Sequence, residues 1–455
     1  MKRLPCPSNA LFVSLLLAVL AAVPEVPAES ESEKKDPFTR DVAGERNTDR
    51  GTGETIIVIG LQLAQVPSEH IRKWDEEGVG GTELRKRVEA LVDQGEATIV
   101  DSVAGTWRSG NRGKFQSVLE LHYPTAFEII GETFEEPPYP MDFERRDLGI
   151  YLEADPVLNE DHSQLDLNFA FGWSSYLGEV EGTRTITERT QAGDVLEPHF
   201  ATQRVVRQAA VPIGEYSVLT RIQPQDPEKE EQFDVIVFGR VDLVAVNPIE
   251  DEDEVREAGT ELRFRASWVE VEADTWHGML HANSLSSVFG GKAWDSVLEW
   301  EKEGTAKVLA TVAVGSKSGQ RAKVEVGETL NYRNSFPVPG SDPGNNTSTT
   351  NSRQLGHEME FDPVLSESGI IYFNMIGRTT SLHGWGVSYR KKEGDQWVPA
   401  VQFPRLYESS ATTQVMLGRG ANLLVGVGTQ PQENGRADGS RKWLLFVHND
   451  TYEAK

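Results

Sequence analysis

The sequence predicts a mainly β fold, of a β-rich α+β class, built from two tandem homologous domains with one helix near the start of each. Three observations predict it. The chain repeats itself: Leu148–Leu158 returns as Leu355–Leu365, 207 residues on (362 − 155 for the shared Asp-Pro). Ser109-Gly110-Asn111-Arg112 matches Ser318-Gly319-Gln320-Arg321, Gly214 matches Gly420, and the strand-like Thr55–Val66 matches Glu261–Val271. Anchors in one order at a nearly constant offset mark a duplicated domain, since a period of about 200 residues is far too long for a solenoid. The second observation is alternation. Leu165, Leu167, Phe169, Phe171 and Trp173 are separated by Asp166, Asn168, Ala170 and Gly172, the period of two that reads as a half-buried strand. The third is punctuation: 41 Gly and 23 Pro supply turns between many short elements.

From the N-terminus, Lys2 and Arg3 precede an apolar run from Ala10 to Val23, followed by Val26-Pro27-Ala28. That is the pattern of a secretory signal peptide over residues 1–28, and the run is too short to span a bilayer. Cys6, the one cysteine, lies before the run, so the mature chain is expected to have neither a disulfide nor thiol chemistry. Residues 29–54 are polar and charged and read as a tether. The first repeat takes 55–249. An acidic linker, 250–259, contains Glu250-Asp251-Glu252-Asp253-Glu254. The second repeat takes 260–455.

Each repeat opens on a strand. In the second, Leu262, Phe264, Ala266 and Trp268 alternate with Arg263, Arg265 and Ser267. A helix follows. Thr82 is placed to cap one carrying Leu84, Val88, Leu91 and Val92, closed by Gly95; Trp294, Val297, Leu298 and Gly304 are the counterparts. Lys307–Val314, the Ser318-Gly319 turn and Ala322–Val326 read as a hairpin. Pro124–Arg146 and Ser335–Arg353 read as long irregular segments. Strands dominate afterwards.

Signals for catalysis are weak. His357-Glu358 opens a zinc-protease-like motif, but Phe361 stands where the second His belongs, and the segment reads as a strand. His277 and His281 are four apart with no third ligand nearby. Gly78-Val79-Gly80-Gly81 lacks the Gly-Lys-Ser/Thr of a phosphate loop and reads as a turn. The recurring Asp155-Pro156 and Asp362-Pro363 read as turns ending strands, a retained scaffold and not an active site. No catalytic, cofactor-binding or metal residue is assigned. The net charge of −26 opposes phosphate backbones, which excludes nucleic acid.

The order of elements resembles the secretin domain of bacterial type II and type III secretion systems and type IV pilus machines, in two divergent copies. Trp268–Val271 is similar to the family's opening Val-Glu-Val strand. Val324–Thr329 is similar to its "X-Val-Gly-Glu-X" segment. Gly356–Leu365 and Gly149–Leu158 match "Gly-X-X-Leu-X-X-X-Pro-X-Ile", with Met359 and Leu152 in the Leu place. Thr412–Leu417 with Gly420, Val425 and Gly426 is similar to the later Thr-X-Val-X-Val strand; Ala209, Val211, Gly214 and Val218 are the looser first copy. Phe233–Leu243 and Trp443–Val447 fill the apolar last strand. One departure is Gln430–Gly439, a polar loop where the family has "Val-Pro-X-Leu-Gly-X-Ile-Pro". The resemblance implies an exported, non-enzymatic structural protein of the periplasm or outer membrane of a Gram-negative-type bacterium. Its implied partners are further copies of itself as a homo-oligomer, or other secretion-system proteins, with association to the outer membrane and no cofactor. The alternative is an extracytoplasmic tandem β-domain protein that binds a carbohydrate or protein, which predicts exposed aromatics at matching positions in both copies.

Overall fold

Among the described residues, sixteen strands form two antiparallel sheets of eight. The computed structural model describes residues 54–128, 138–186, 189–223, 232–246, 261–336, 349–393 and 396–452. The signal peptide, the acidic linker and all of the tether but Glu54 lie outside the described residues. Every described residue belongs to one compact unit, residues 49–455.

The first half contributes β1 (Glu54–Pro67), β2 (Thr98–Trp107), β3 (Gly113–Glu128), β4 (Tyr139–Leu158), β5 (Gln164–Ile186), β6 (Arg189–Pro212), β7 (Tyr216–Ile222) and β8 (Phe233–Val246). The second contributes β9 (Glu261–Glu272), β10 (Ala306–Lys317), β11 (Ala322–Arg333), β12 (Thr350–Leu365), β13 (Ile371–Glu393), β14 (Gln396–Leu417), β15 (Asn422–Gly428) and β16 (Arg441–Tyr452). Sheet A runs β10-β9-β16-β15-β2-β1-β8-β7, and sheet B runs β11-β12-β13-β14-β3-β4-β5-β6. Each sheet is thus the same four-strand order used twice. Bulges recur as well. The pairing skips Val100 in β2 and Leu309 in β10, Leu219 in β7 and Val425 in β15, Leu177 in β5 and His383 in β13.

The two sheets bury their inner faces against each other. Trp107, Phe115, Phe171, Phe264, Phe361 and Trp268 are among the fully enclosed side chains. The alternating β5 residues behave as their period demands: Leu165, Leu167, Phe169 and Phe171 are buried, and Trp173 packs half-buried on the same core. Burying one such side chain stabilises by about 2–3 kcal/mol relative to exposure. In β1 and β9 both faces are apolar, because helices cover the outer face of sheet A. Val58, Val269 and Val271 meet Trp276, Phe289, Val297 and Trp300; Ala64 and Val66 meet Ile71, Trp74, Val88 and Leu91.

A further helix precedes each expected one. α1 (Ser68–Glu76) and α2 (Gly81–Gln94) belong to the first half. α3 (Ala273–Ala282), the single turn α4 (Leu285–Ser287), a π-helical turn at Val288–Lys292 and α5 (Ala293–Glu303) belong to the second. α2 buries Leu84, Val88 and Leu91 at helical spacing and stops at Gly95, whose φ of 77° is the left-handed cap that glycine supplies. α5 stops in the same way at Gly304. Two expectations differ in detail. Thr82 lies inside α2, and its hydroxyl accepts from the Tyr216 backbone N–H at 3.1 Å instead of capping the helix. Leu298 is 67% exposed, because Ala293, Val297 and Trp300 form the buried face.

The expected hairpin is not one. β10 lies in sheet A and β11 in sheet B, as β2 and β3 do, so the chain crosses between the sheets at Ser318-Gly319 and Ser109-Gly110. The reason is a latch present in both halves. The Gly110 N–H donates to the Pro156 carbonyl at 2.7 Å, and Gly319 does so to Pro363 at 2.7 Å. The Ser109 and Ser318 hydroxyls accept from the Leu158 and Leu365 N–H groups, each at 3.0 Å. The turn therefore docks on the end of β4 or β12, so Asp-Pro receives a turn inside a strand and does not end one. The ends of both segments expected to be irregular are strand, since β3 reaches Glu128, β4 starts at Tyr139 and β12 starts at Thr350, while residues 129–137 and 337–348 lie outside the described residues.

Candidate functional site: the strand edges

Both sheets contain one place where the second half meets the first. In sheet B, Leu406–Thr412 of β14 pairs with Lys114–Glu120 of β3. In sheet A, Gly426 and Val427 of β15 pair with Gly105 and Ala104 of β2. At the other ends of the sheets, β6 and β7 on one side and β10 and β11 on the other, no further strand lies beside them among the described residues.

The internal seam is tightly built. The Phe115 ring lies over Gly105 and Gly426, where a Cβ would fall 2.4 and 2.8 Å from it, so both positions require glycine. The Thr106 hydroxyl donates to the Val425 carbonyl at 3.2 Å, Thr413 to Thr106 at 2.5 Å, and Ser117 to Thr429 at 2.6 Å. These bonds satisfy polar groups that burial would otherwise penalise. The polar loop at Gln430–Gly439 clamps the first half: the Asn434 carbonyl accepts from the Tyr176 N–H at 2.8 Å, and Gly435 packs on Leu148.

Charges cross the seam too. Glu120 of β3 and Glu408 of β14 are nearly buried. Arg353 of β12 bonds to Glu120 and reaches Glu408 at 2.6 Å. Arg145 lies 3.6 Å from Glu120, and Arg378 lies 3.6 Å from Glu408. Burial raises the pKa of Glu120, opposed by Arg353 and Arg145. On the other sheet Lys442 and Asp101 lie 3.9 Å apart, both enclosed. Burial lowers the pKa of Lys442 and raises that of Asp101, while each charge opposes the shift of the other. Arg353 and Glu120 are 233 positions apart in sequence, and nothing local distinguishes these residues. The available signal was mismatch between the copies: Glu120 aligns with Thr329 and Glu408 with Thr202.

His277 and His281 both lie on α3, and the described residues contain no group of three His, Cys, Asp or Glu placed to hold a metal. His357 lies in β12, not on a helix, 4.9 Å from the Trp268 ring, and burial lowers its pKa. Gly78–Gly81 is the turn into α2, with Gly78 at φ 69° and Gly81 at φ 55°. Among the described residues no helix is long and apolar enough to cross a membrane, a statement that leaves strands aside. On the hairpins β5–β6 and β13–β14, Leu177, Val180, Leu382, Trp385 and Val387 are exposed.

No family model matches the sequence, and no curated protein matches it. Among solved structures the neighbours are secretins. The type IV competence pilus secretin PilQ of V. cholerae is 8% identical at a TM-score of 0.21, over 89% of this chain and 62% of that one. The InvG secretin domain β-barrel of the Salmonella SPI-1 injectisome is 10% identical at 0.24, over 63% of this chain and 89% of that one. The GspD secretin of an ETEC pilotin–secretin complex is 7% identical at 0.21, over 89% and 50%. The chain thus spans less than two thirds of the PilQ chain, and at these scores the likeness carries no argument about function.

Proposed function

We propose that the mature chain is an exported, non-enzymatic, secretin-like structural protein that works by assembly at the outer membrane or in the periplasm. The observation that carries this reading is that, among the described residues, the strands at each end of two continuous eight-stranded sheets have an unpaired outer edge. Unpaired edges invite further strands unless they are covered or closed into a barrel. The motif order in both halves supports the family reading, and an export signal supports the compartment. The exposed Leu177, Val180, Trp385 and Val387 on the long hairpins support contact with a bilayer, where aliphatic residues and tryptophan favour the apolar face of a barrel.

Carbohydrate or protein binding through matched aromatics gains no support. Trp385 is exposed, and the matching position in the first half is Glu179. Electron microscopy and sedimentation of the mature chain in mild detergent test the assembly role. Closed rings or large uniform oligomers are expected. A monomer in both detergent and buffer ends this reading.

A further inference from the structure

We propose that the second half contains a binding site for an organic cation with an apolar body, an ammonium or guanidinium group carried by a small molecule or by a partner's side chain. The site is a cavity of about 820 Å3 between the two sheets, walled by β9, β10 and β16 on one side and by β11 to β14 on the other. That volume lies within the range of roughly 300–1,000 Å3 usual for small-ligand sites. Such a site needs no second copy of the chain.

The ladders fix which residues of the two halves correspond. Trp268 and Trp443 stand where the first half has Leu63 and Val235. His357 and Tyr407 stand where it has Ile150 and Ala201. All four belong to the cavity lining. Two carboxylates on the same lining also lack a charged counterpart. Glu270 stands for Gln65, and Glu328 stands for Leu119. Two further exchanges free the space, since Thr379 and Leu382 are smaller than their counterparts Trp173 and Tyr176. The polar loop widens the difference. Gly435 packs on Leu148 in the first half, whereas the counterpart Leu355 lines the cavity.

Charge selects the ligand. The lining contains no Lys and no Arg. Burial lowers the pKa of His357, so its ring is neutral at pH 7. Arg441 bonds to Glu270 from outside the lining, and Lys307 pairs with Glu270 along the ladder. Glu328 is exposed and has no ionic partner among the described residues. The Tyr407 hydroxyl is pushed up to about 12, by burial first and then by the Glu270 and Asp101 carboxylates. An anion would meet the same opposition, whereas a cation within about 6 Å of a ring centre is attracted to its face. The net charge of −26 adds to the local concentration of cations. Leu309 and Leu382, both exposed on the lining, call for an apolar body.

Core filling accounts for the enclosure of Trp268 and Trp443, which are 1% and 6% exposed and belong to the main core. It does not account for carboxylates beside them, or for the room left between the sheets, because a core closes such room with side chains and excludes charge. The cation sits by Glu328, Glu270 and the half-buried His357 ring, with the tryptophans as the floor.

Isothermal titration calorimetry of the mature chain with benzyltrimethylammonium tests the site, with benzyl alcohol and benzoate as neutral and anionic controls. The cation should bind, and each control should bind at least about fivefold more weakly, the size of a ring and carboxylate contribution. Glu328→Gln, a change at an exposed position, should weaken the cation about fivefold. Trp268→Leu with His357→Ile, which writes in the first half's residues, should weaken it further; Glu328→Gln decides the matter should that variant not fold. Two more probes assign the source. Tighter binding of N-acetyl-lysine amide or N-acetyl-arginine amide than of benzyltrimethylammonium assigns the cation to a partner's side chain, and the reverse order assigns it to a free small molecule. Equal binding of benzoate, no heat from any of these cations at concentrations up to the order of 10 mM, or an unchanged affinity in Glu328→Gln overturns the proposal. None of these outcomes depends on oligomeric state, so the assembly role stands or falls separately.

Discussion

β3 and β11 are the same strand in two settings. Each follows a Ser-Gly turn, each pairs with the strand that carries Asp-Pro, and each lies in sheet B. β3 is covered by β14 and carries buried Phe115, Ser117, Leu119 and Glu120. Among the described residues β11 has no strand on that side, and it exposes Val326. The difference shows that burial here is set by what pairs at the edge, not by the strand's own alternation. It also shows how a seam accommodates charge: Glu120 and Glu408 are tolerated because Arg353 joins them.

The largest expected effect breaks that join. Arg353→Ala leaves two nearly buried carboxylates with Arg145, Arg378 and the Gln116 amide in support, and should cost about 3 kcal/mol in urea unfolding. Its counterpart Arg146 donates to the Thr202 hydroxyl at 3.1 Å and lies over the Phe200 ring. Arg146→Ala should cost about 1 kcal/mol or less, as neutral surface contacts do. Equal losses would remove the distinction between seam and edge.

A second test sharpens the volume comparison. Gly105→Val drives a side chain into the Phe115 ring and should cost about 1–3 kcal/mol. Phe115→Val in the same chain should recover part of that loss, since Val314 and Val324 stand at the matching positions of the second half. A strictly additive double variant would show that the two positions do not share one space.

The smallest effect is a pH dependence confined to the covered strand. His122 of β3 stacks on Phe403 at 4.8 Å, and burial lowers its pKa from 6.5 to about 4, helped by Arg145 and Arg353. The unfolded chain binds the proton at higher pH than the folded one. Stability should therefore be fully present above pH 6.5 and decline as pH falls towards 4. Between pH 6.5 and 5 the loss should be on the order of 1 kcal/mol, allowing for partial exposure to solvent. His122→Phe should flatten that slope in thermal unfolding; an unchanged slope would assign it to other groups. The counterpart position holds Asn331, which is exposed and does not titrate.

Much of the fold was legible because its causes are local. The alternation in β5 and β9 fixed which residues face the core, helical spacing and the left-handed glycines fixed α2 and α5, and the repeated Ser-Gly and Asp-Pro pairs turned out to be one latch. The hairpin reading failed because two strands joined by a tight turn look alike whether they share a sheet or cross between two. α1 and α3 were missed because each is short and continues directly from a strand.

Strand periodicity, the turn chemistry and the repeat were therefore determined by the amino acids themselves, through steric and hydrophobic preferences that act over a few residues. Which strands meet at the seam, and so why Glu120, Glu408, Asp101 and Lys442 can be buried, was decided only by the tertiary structure. Those pairings join residues hundreds of positions apart, and their energy exists only once both sheets have closed around them.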